Sequence, residues 1–470
     1  IIITRSNIVK DAMMSLISLA VSTNNRRLIL VLLVLQLSCF IILVFSSNKN
    51  QQQQKLYRYL ADSGRSNSRR LTTITEEEKT TTSAIHLFTP SSSYMVLGPS
   101  VFPKPSLFLN EDAIPYLRPT FGSHRHDVDA VLVFAAEYGF NTYICFVESL
   151  RKTGYRGDIV FAVSLLDINS KDVKHYLETA FGVVTYVVTL NCYNAEMEEV
   201  DSAKGGMRVC KLDNLYANAA GQPQLDPRPA RTIATTRYEL YWLWSLHYDP
   251  QSWIMLLDAR DSYFQSDPFL NVPRWEQKQE ELSSNKKDGI LHFFGENADA
   301  TRIGMSPKNR KWLTNAYGDV VVTALENKPT ICSGSTMGEQ IAIETYLRAM
   351  VAESDETGTK LMGADQGFHN YLYYSNKLAA AETIRSISVY DQGRGTINNL
   401  GAMRTAPLES WGNGRLVDIK NTTSDITVLN WDGTPSPVVH QFDRHQVLSA
   451  FVYKYITAQF REEYFKNKQH

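Results

Sequence analysis

Cysteine is scarce in this sequence: five residues in 470, none in a Cys-x-x-Cys pair. That is too few for a disulfide scaffold and gives no thiolate site for structural zinc. A surplus of charge is missing too. The 48 Lys and Arg stand against 49 Asp and Glu, a formal charge of −1, so no net basic field argues for a nucleic-acid partner. No GxGxxG follows a strand-like run, which leaves a dinucleotide fold with a glycine pyrophosphate loop unsupported. Histidine is thin, with ten scattered residues, whereas two-metal phosphoester hydrolases cluster His with Asp. What is present is apolar residue, 43%, with 11% aromatic. This suffices for a sizeable core and excludes a disordered chain. The length allows one large domain or two.

One segment departs from the soluble average. Residues 28–45 (LILVLLVLQLSCFIILVF) carry no charge and reach the lower limit for a bilayer span. Residues 1–27 hold Arg5, Lys10, Arg26 and Arg27 against Asp11 alone, so the positive-inside rule keeps them cytosolic. A cleaved signal peptide is the rival, but its apolar core is shorter and no small-residue cleavage site stands out. The expectation is a single-pass signal anchor with everything beyond it lumenal or extracellular. Residues 46–125 then run through Gln51–Gln54, SGRSNSRR and TTITEEEKTTTS. Such composition cannot bury enough apolar surface to offset chain entropy, and it reads as a disordered stem. The chemistry is left to residues 126–470.

From Asp127 onward, strand and helix patterns alternate. Ala130–Ala135 (AVLVFA) is a continuous apolar run, as a strand covered on both faces would be; Ile159–Ser164 (IVFAVS) reads as a second buried strand and Val183–Leu190 (VVTYVVTL) as a third. Helical stretches around Asn141–Lys152 and Lys171–Ala180 separate them. Connections this long imply parallel pairing with helices on both faces. The fold class is therefore α/β, Rossmann-like, with a mainly parallel sheet. Ala234–Tyr248, rich in Tyr and Trp, reads as a packed helix that Asp249-Pro250 ends, and Trp253–Leu257 as the next buried strand.

That strand runs into Asp258-Ala259-Arg260-Asp261. Two carboxylates beyond a strand end lie where open α/β sheets bind ligands. Their hard oxygens suit Mg²⁺ or Mn²⁺, which keep positions open for phosphate oxygens. On these residues alone, an equal reading makes Asp258 a turn cap and pairs Asp261 with Arg260 or a solvent-facing group. Three further segments stand out: Cys332-Ser333-Gly334-Ser335-Thr336-Met337-Gly338 before a helical run, Ala364-Asp365-Gln366-Gly367-Phe368-His369-Asn370, and Pro437-Val438-Val439-His440.

In this order, the segments resemble GT-A glycosyltransferases of the family 8 type. The strand with DARDSYFQSDPF after it is similar to their DxD region, where two Asp bind the divalent ion that holds a sugar-nucleotide diphosphate. Here the third DxD position is Arg260 and the next acid is Asp261, so either the turn brings both Asp258 and Asp261 to the metal or only Asp258 reaches it. The resemblance makes Ser333 and Gly334 donor-binding residues, because a small backbone lets the ligand approach closely. It places Asp365 and Gln366 at the sugar and reaction face, and His440 as a third metal ligand from a late strand. Asp258 and Arg237, on the aromatic helix, would meet the donor phosphates, since a guanidinium pairs bidentately with them; Arg231 competes for that role. The resemblance implies a Mn²⁺- or Mg²⁺-dependent transferase taking a nucleotide-sugar donor, a UDP-sugar above all, to a glycan or glycoprotein acceptor. Tail, span, stem and catalytic domain also match a type II Golgi membrane protein with its catalytic domain in the lumen.

Two other classes compete: an inactive GT-A fold serving as a membrane-anchored glycan-binding protein, which the Arg260 departure favours, and a metal-dependent phosphoester hydrolase. Of the four cysteines beyond residue 45, Cys192 and Cys210 close a short loop and are the expected pair, while Cys145 reads as a buried thiol. Asn421-Thr422-Thr423 is a sequon on a polar stretch.

Overall fold

A computed structural model of the chain describes residues 114–115, 117–194, 197–200, 208–218, 220, 222–226, 228–274, 288–403, 417–419 and 426–468. In chain order, the elements that matter here begin with β1 (Ala130–Phe134), α1 (Phe140–Lys152), β2 (Asp158–Val163), α2 (Lys171–Thr179) and β3 (Val183–Val187). A disulfide-bearing hairpin comes next, β4 (Leu190–Tyr193) and β5 (Val209–Leu212), then α3 (Ile233–Ser245), β6 (Trp253–Leu257), β7 (Ser262–Phe264) and β8 (Gly289–Gly295). The remainder is α4 (Pro307–Tyr317), β9 (Ile331–Glu339), α5 (Gln340–Thr357), α6 (Ala364–Tyr374), β10 (Ile384–Tyr390), β11 (Ile397–Asn399), β12 (Val438–His440) and α7 (Thr457–Asn467).

Seven strands form the central sheet in the order β10-β8-β9-β6-β1-β2-β3. Pairing is parallel between β6 and β1, β1 and β2, β2 and β3, and β8 and β10. Only β9 runs against its neighbours, β6 and β8. Successive strand residues point to opposite faces, and both faces here are covered. Ala130, Leu132, Ile254 and Leu256 join one core with residues of α3, α5 and α6. Val131, Val133, Met255 and Leu257 join a second core with α1 and α2. Hence the unbroken apolar runs: neither side of these strands meets water. The sheet is mixed, mainly parallel, with helices on both faces.

The strand–helix alternation over 130–187 holds to within a residue or two, apart from an added short helix, Leu165–Asn169, capped by Ser164. The run Val183–Leu190 divides: β3 stops at Val187, and Leu190 starts the hairpin strand β4. Cys192 and Cys210 face each other across β4 and β5 and are disulfide-bonded. Cys145 and Cys332 are buried thiols. Residues at the end of the expected stem are part of this packing. Ile114–Pro115 pairs with Tyr216–Ala217, Thr120 and Phe121 bond to Thr185, and Arg125 meets the buried Asp158 at 2.7 Å. Among the described residues no helix is long and apolar enough to cross a membrane. The expected anchor at 28–45 and the sequon at 421–423 lie outside them.

Candidate functional site

The site sits where the sheet order reverses. From β1 the chain moves to β2 and β3 on one side, and β6 adds on the other, which opens a crevice at the strand ends. Asp258 comes directly after the last residue of β6, its amide 3.3 Å from the Gly334 carbonyl of β9. The chain turns through Ala259 and Arg260 into β7, which pairs antiparallel with β12 so that Ser262 faces His440. The Asp261 carbonyl accepts from the amides of Gln441 (2.7 Å) and Phe442 (3.3 Å). This pairing carries the Asp261 carboxylate to within 3.6 Å of His440 Nε2. One ligand atom each from Asp258, Asp261 and His440 fall within 4.8 Å of one another. Of the two alternatives for DARD, the turn brings both acids to the histidine.

The state of His440 is set by its other nitrogen. Nδ1 lies 2.7 Å from Asn399 Oδ1, and Asn399 is the residue opposite His440 in the parallel pairing of β11 with β12. The Asn399 amide nitrogen donates to the carbonyls of Phe294 (3.0 Å) and Gly295 (3.2 Å), so its oxygen must face the imidazole. The imidazole proton is thereby assigned to Nδ1, and Nε2 presents a lone pair. That Nε2 is buried with no hydrogen-bond partner, beside two carboxylates that cannot donate to it when ionised. An orphaned nitrogen lone pair facing two acids fits a divalent cation, and the fixed tautomer is the support that metal-bound histidines receive.

The carboxylates are split electrostatically. Burial pushes Asp258 up, but the Arg237 guanidinium, with Arg260 beyond it, holds it below its usual value. Its side chain is 38% exposed because one face opens to the cleft while protein surrounds the rest. Asp261 is raised by burial, and the Asp258 charge reinforces the shift. Gly334 closes the arrangement. A Cβ there would come 2.7 Å from Asp258 Oδ2 and 3.1 Å from His440 Cε1, so a side chain would fill the space the three ligands share.

The Ser-Gly segment is the start of β9, a nine-residue strand buried throughout. β6 pairs only with residues 335–339, so residues 331–333 project past its end. Side chains of α6 take over there. Asn370 bonds both the amide (2.9 Å) and the carbonyl (2.8 Å) of Ile331, and Gln366 Oε1 accepts from the Ser333 amide at 2.7 Å. Asp365 accepts from Ser333 Oγ at 3.0 Å and from Arg237 Nη2 at 3.0 Å. Burial raises the Asp365 carboxyl, with Arg237 opposing.

Arg237 lines the cleft, but both its η nitrogens are engaged, Nη1 by Asp258 and Nη2 by Asp365. It is a brace between two acids. Arg231 is elsewhere: buried, 2.5 Å from Glu239 and 3.6 Å from Asp226, with Arg228 on the same Glu239. Gln265, next in the motif, bonds the Val428 backbone and the Ser436 carbonyl, a structural role. His445 is buried and bonds the Leu400 carbonyl.

These groups line a cleft of about 770 Å³, which also takes in Glu296, Lys308, Asn309, Trp312 and Met362. Sequence reasoning reached Arg237, Asp258, Ser333, Gly334, Asp365 and Gln366, which line this cleft, and Asp261 and His440, which group with Asp258. It missed Asn399, Lys308 and Trp312. The only trace of Asn399 is the Asn398-Asn399 doublet after an apolar Ile397, both fully buried.

No protein-family model matches the chain, and no curated protein matches it. Among solved structures, the chain is similar to a galactosyltransferase, LgtC, in complex with donor and acceptor sugar analogues. The match covers 71% of this chain and 95% of that one, at 9% identity and a TM-score of 0.31. A likeness of that degree carries no argument about this protein.

Proposed function

We propose that the protein is a divalent-metal-dependent glycosyltransferase that moves a sugar from a nucleotide-diphosphate donor, a UDP-sugar, to a glycan or glycoprotein acceptor. The observation that carries this reading is the Asp258, Asp261 and His440 group with its orphaned Nε2, placed beside a cleft roomy enough for a nucleotide sugar. Asp258, Asp261 and His440 would hold Mn²⁺ or Mg²⁺, and a cation bound there supplies positive charge against the departing diphosphate.

The other residues act by positioning. Asn399 holds His440 in the tautomer that leaves Nε2 free. Gly334 keeps the approach to Asp258 open. Arg237 ties Asp258 to Asp365, so the metal site and the sugar face keep one spacing. Asp365 and Gln366, fixed by Ser333, orient the donor sugar and offer negative charge and an amide beside its anomeric carbon. The same reading places the chain in the Golgi membrane through residues 28–45, with the catalytic domain lumenal.

The test is release of nucleoside diphosphate by the full chain from UDP- and GDP-sugars, with Mn²⁺, with Mg²⁺ and with EDTA. Metal-dependent release from one donor, lost in Asp258→Ala, supports the transferase. No release and no Mn²⁺-dependent UDP binding leaves a glycan-binding protein on an inactive site.

A further inference from the structure

The cleft has a second arm that the metal site does not use. Lys308 and Trp312 lie four residues apart on α4, hence on one helix face, and both line the cavity with Met362. The indole is seated against the turn that opens α6. Its Nε1 donates to the Met362 carbonyl at 2.7 Å, and Gly363, at φ +86°, lies so close that a Cβ would meet Trp312 Cζ2 at 2.4 Å. Asp365 and Gln366 stand just beyond that turn. The aromatic platform therefore adjoins the face assigned to the transferred sugar. Met362 is 46% exposed and Met305, just before the α4 cap Ser306, 58%, so the arm has an apolar rim. Of the cations on this helix Lys308 is the one that lines the cleft: Arg310 pairs with Glu326 at 3.8 Å, whereas Lys308 is exposed and makes no ion pair among the described residues.

We propose that this arm is the acceptor subsite and that it selects a glycan bearing an anion, a uronate carboxylate or a sulfate ester. The Lys308 ammonium meets the anion, and the apolar face of an acceptor ring lies on Trp312. The inference rests on the glycosyltransferase reading for the word acceptor, but its chemistry can be read without turnover. An apolar surface with a few convergent polar groups is the usual makeup of a specific small-ligand site, and a cation without an ion-pair partner favours the anionic member of a pair that is otherwise alike.

The experiment is an NMR titration of the full chain with four probes: methyl β-D-glucuronide, its neutral parent methyl β-D-glucoside, methyl β-D-galactoside 6-sulfate, and methyl β-D-galactoside. At least one anionic glycoside is expected to bind about fivefold more tightly than its parent, and the pair that shows it identifies carboxylate or sulfate. Lys308→Met should erase that preference while the neutral parents bind as before. Trp312→Leu should weaken charged and neutral glycosides alike. Equal binding within both pairs, a preference that survives Lys308→Met, or no binding by any of the four overturns the proposal. UDP binding with Mn²⁺, measured on the same samples, tests the transferase reading separately. Its absence beside an intact anion preference would sink the transferase and leave the anion-selective glycan site standing.

Discussion

Replacing Asn399 by Leu tests whether the second layer of the site sets its chemistry. Asn399 is fully buried, and its oxygen takes the His440 Nδ1 proton at 2.7 Å. Leu removes that acceptor and the donor to the Phe294 and Gly295 carbonyls. A buried polar group left without a partner costs about 1–3 kcal/mol, and His440 has an escape. Its proton can move to Nε2, which faces the Asp261 oxygen at 3.6 Å. A metal must then displace that proton, so Mn²⁺ affinity should fall by about 10–100-fold, on the order of 1.4–2.8 kcal/mol. Electron paramagnetic resonance of free Mn²⁺ during titration reads the affinity, and thermal unfolding reads the fold. Asn399→Asp keeps the acceptor and loses only the donors, so it should lose stability but hold its metal better than the Leu variant. Wild-type affinity in Asn399→Leu, or equal losses in both variants, would show that Asn399 does not set the His440 tautomer.

Three further expectations concern the frame. Gly334→Ala should abolish Mn²⁺ binding while leaving the far-ultraviolet circular dichroism unchanged, since its Cβ would stand 2.7 Å from Asp258 Oδ2. The Asp226 carboxyl is pushed up from its ordinary 3.8 to about 7, by burial and then by the Glu239 charge. The folded state binds that proton more tightly, so its contribution is full below about 3.8 and is lost as pH rises through about 7. Urea melts of Asp226→Asn and wild type should accordingly diverge in favour of Asn between those limits and run parallel above. Replacing Cys192 and Cys210 by Ser opens a link of sequence separation 18 and should lower stability by about 3 kcal/mol in the same melts.

The parallel half of the sheet was legible because its strands are buried on both faces. Val131 and Leu132 enter opposite cores, which leaves no alternation to mislead. β9 was not legible as a strand. ICSGSTMGE lacks the β-branched and aromatic signature, because its small residues are set by close approach: a Cβ on Gly338 would meet the Ile290 carbonyl oxygen at 2.4 Å, as one on Gly334 would meet Asp258. Its reversed direction depends on pairing Trp253 with the distant Glu339, which no local pattern encodes. Asp258 and Asp261 stood out as two carboxylates beyond a strand end, and His440 by its place in the order of segments that the resemblance supplied. Asn399 did not, since its role exists only once β11 lies beside β12. Arg237 was placed on its helix, yet its double engagement by Asp258 and Asp365 comes from tertiary packing alone.

Everything proposed for the metal site requires that Asp258, Asp261 and His440 join a cation to a nucleotide. Calorimetric titration of the full chain with UDP, in Mn²⁺ and again in EDTA, addresses this most directly. Binding is expected in Mn²⁺ and should disappear in EDTA and in Asp261→Asn. UDP binding of equal strength in EDTA, or none in either condition, would show that these three residues do not bring metal and nucleotide together.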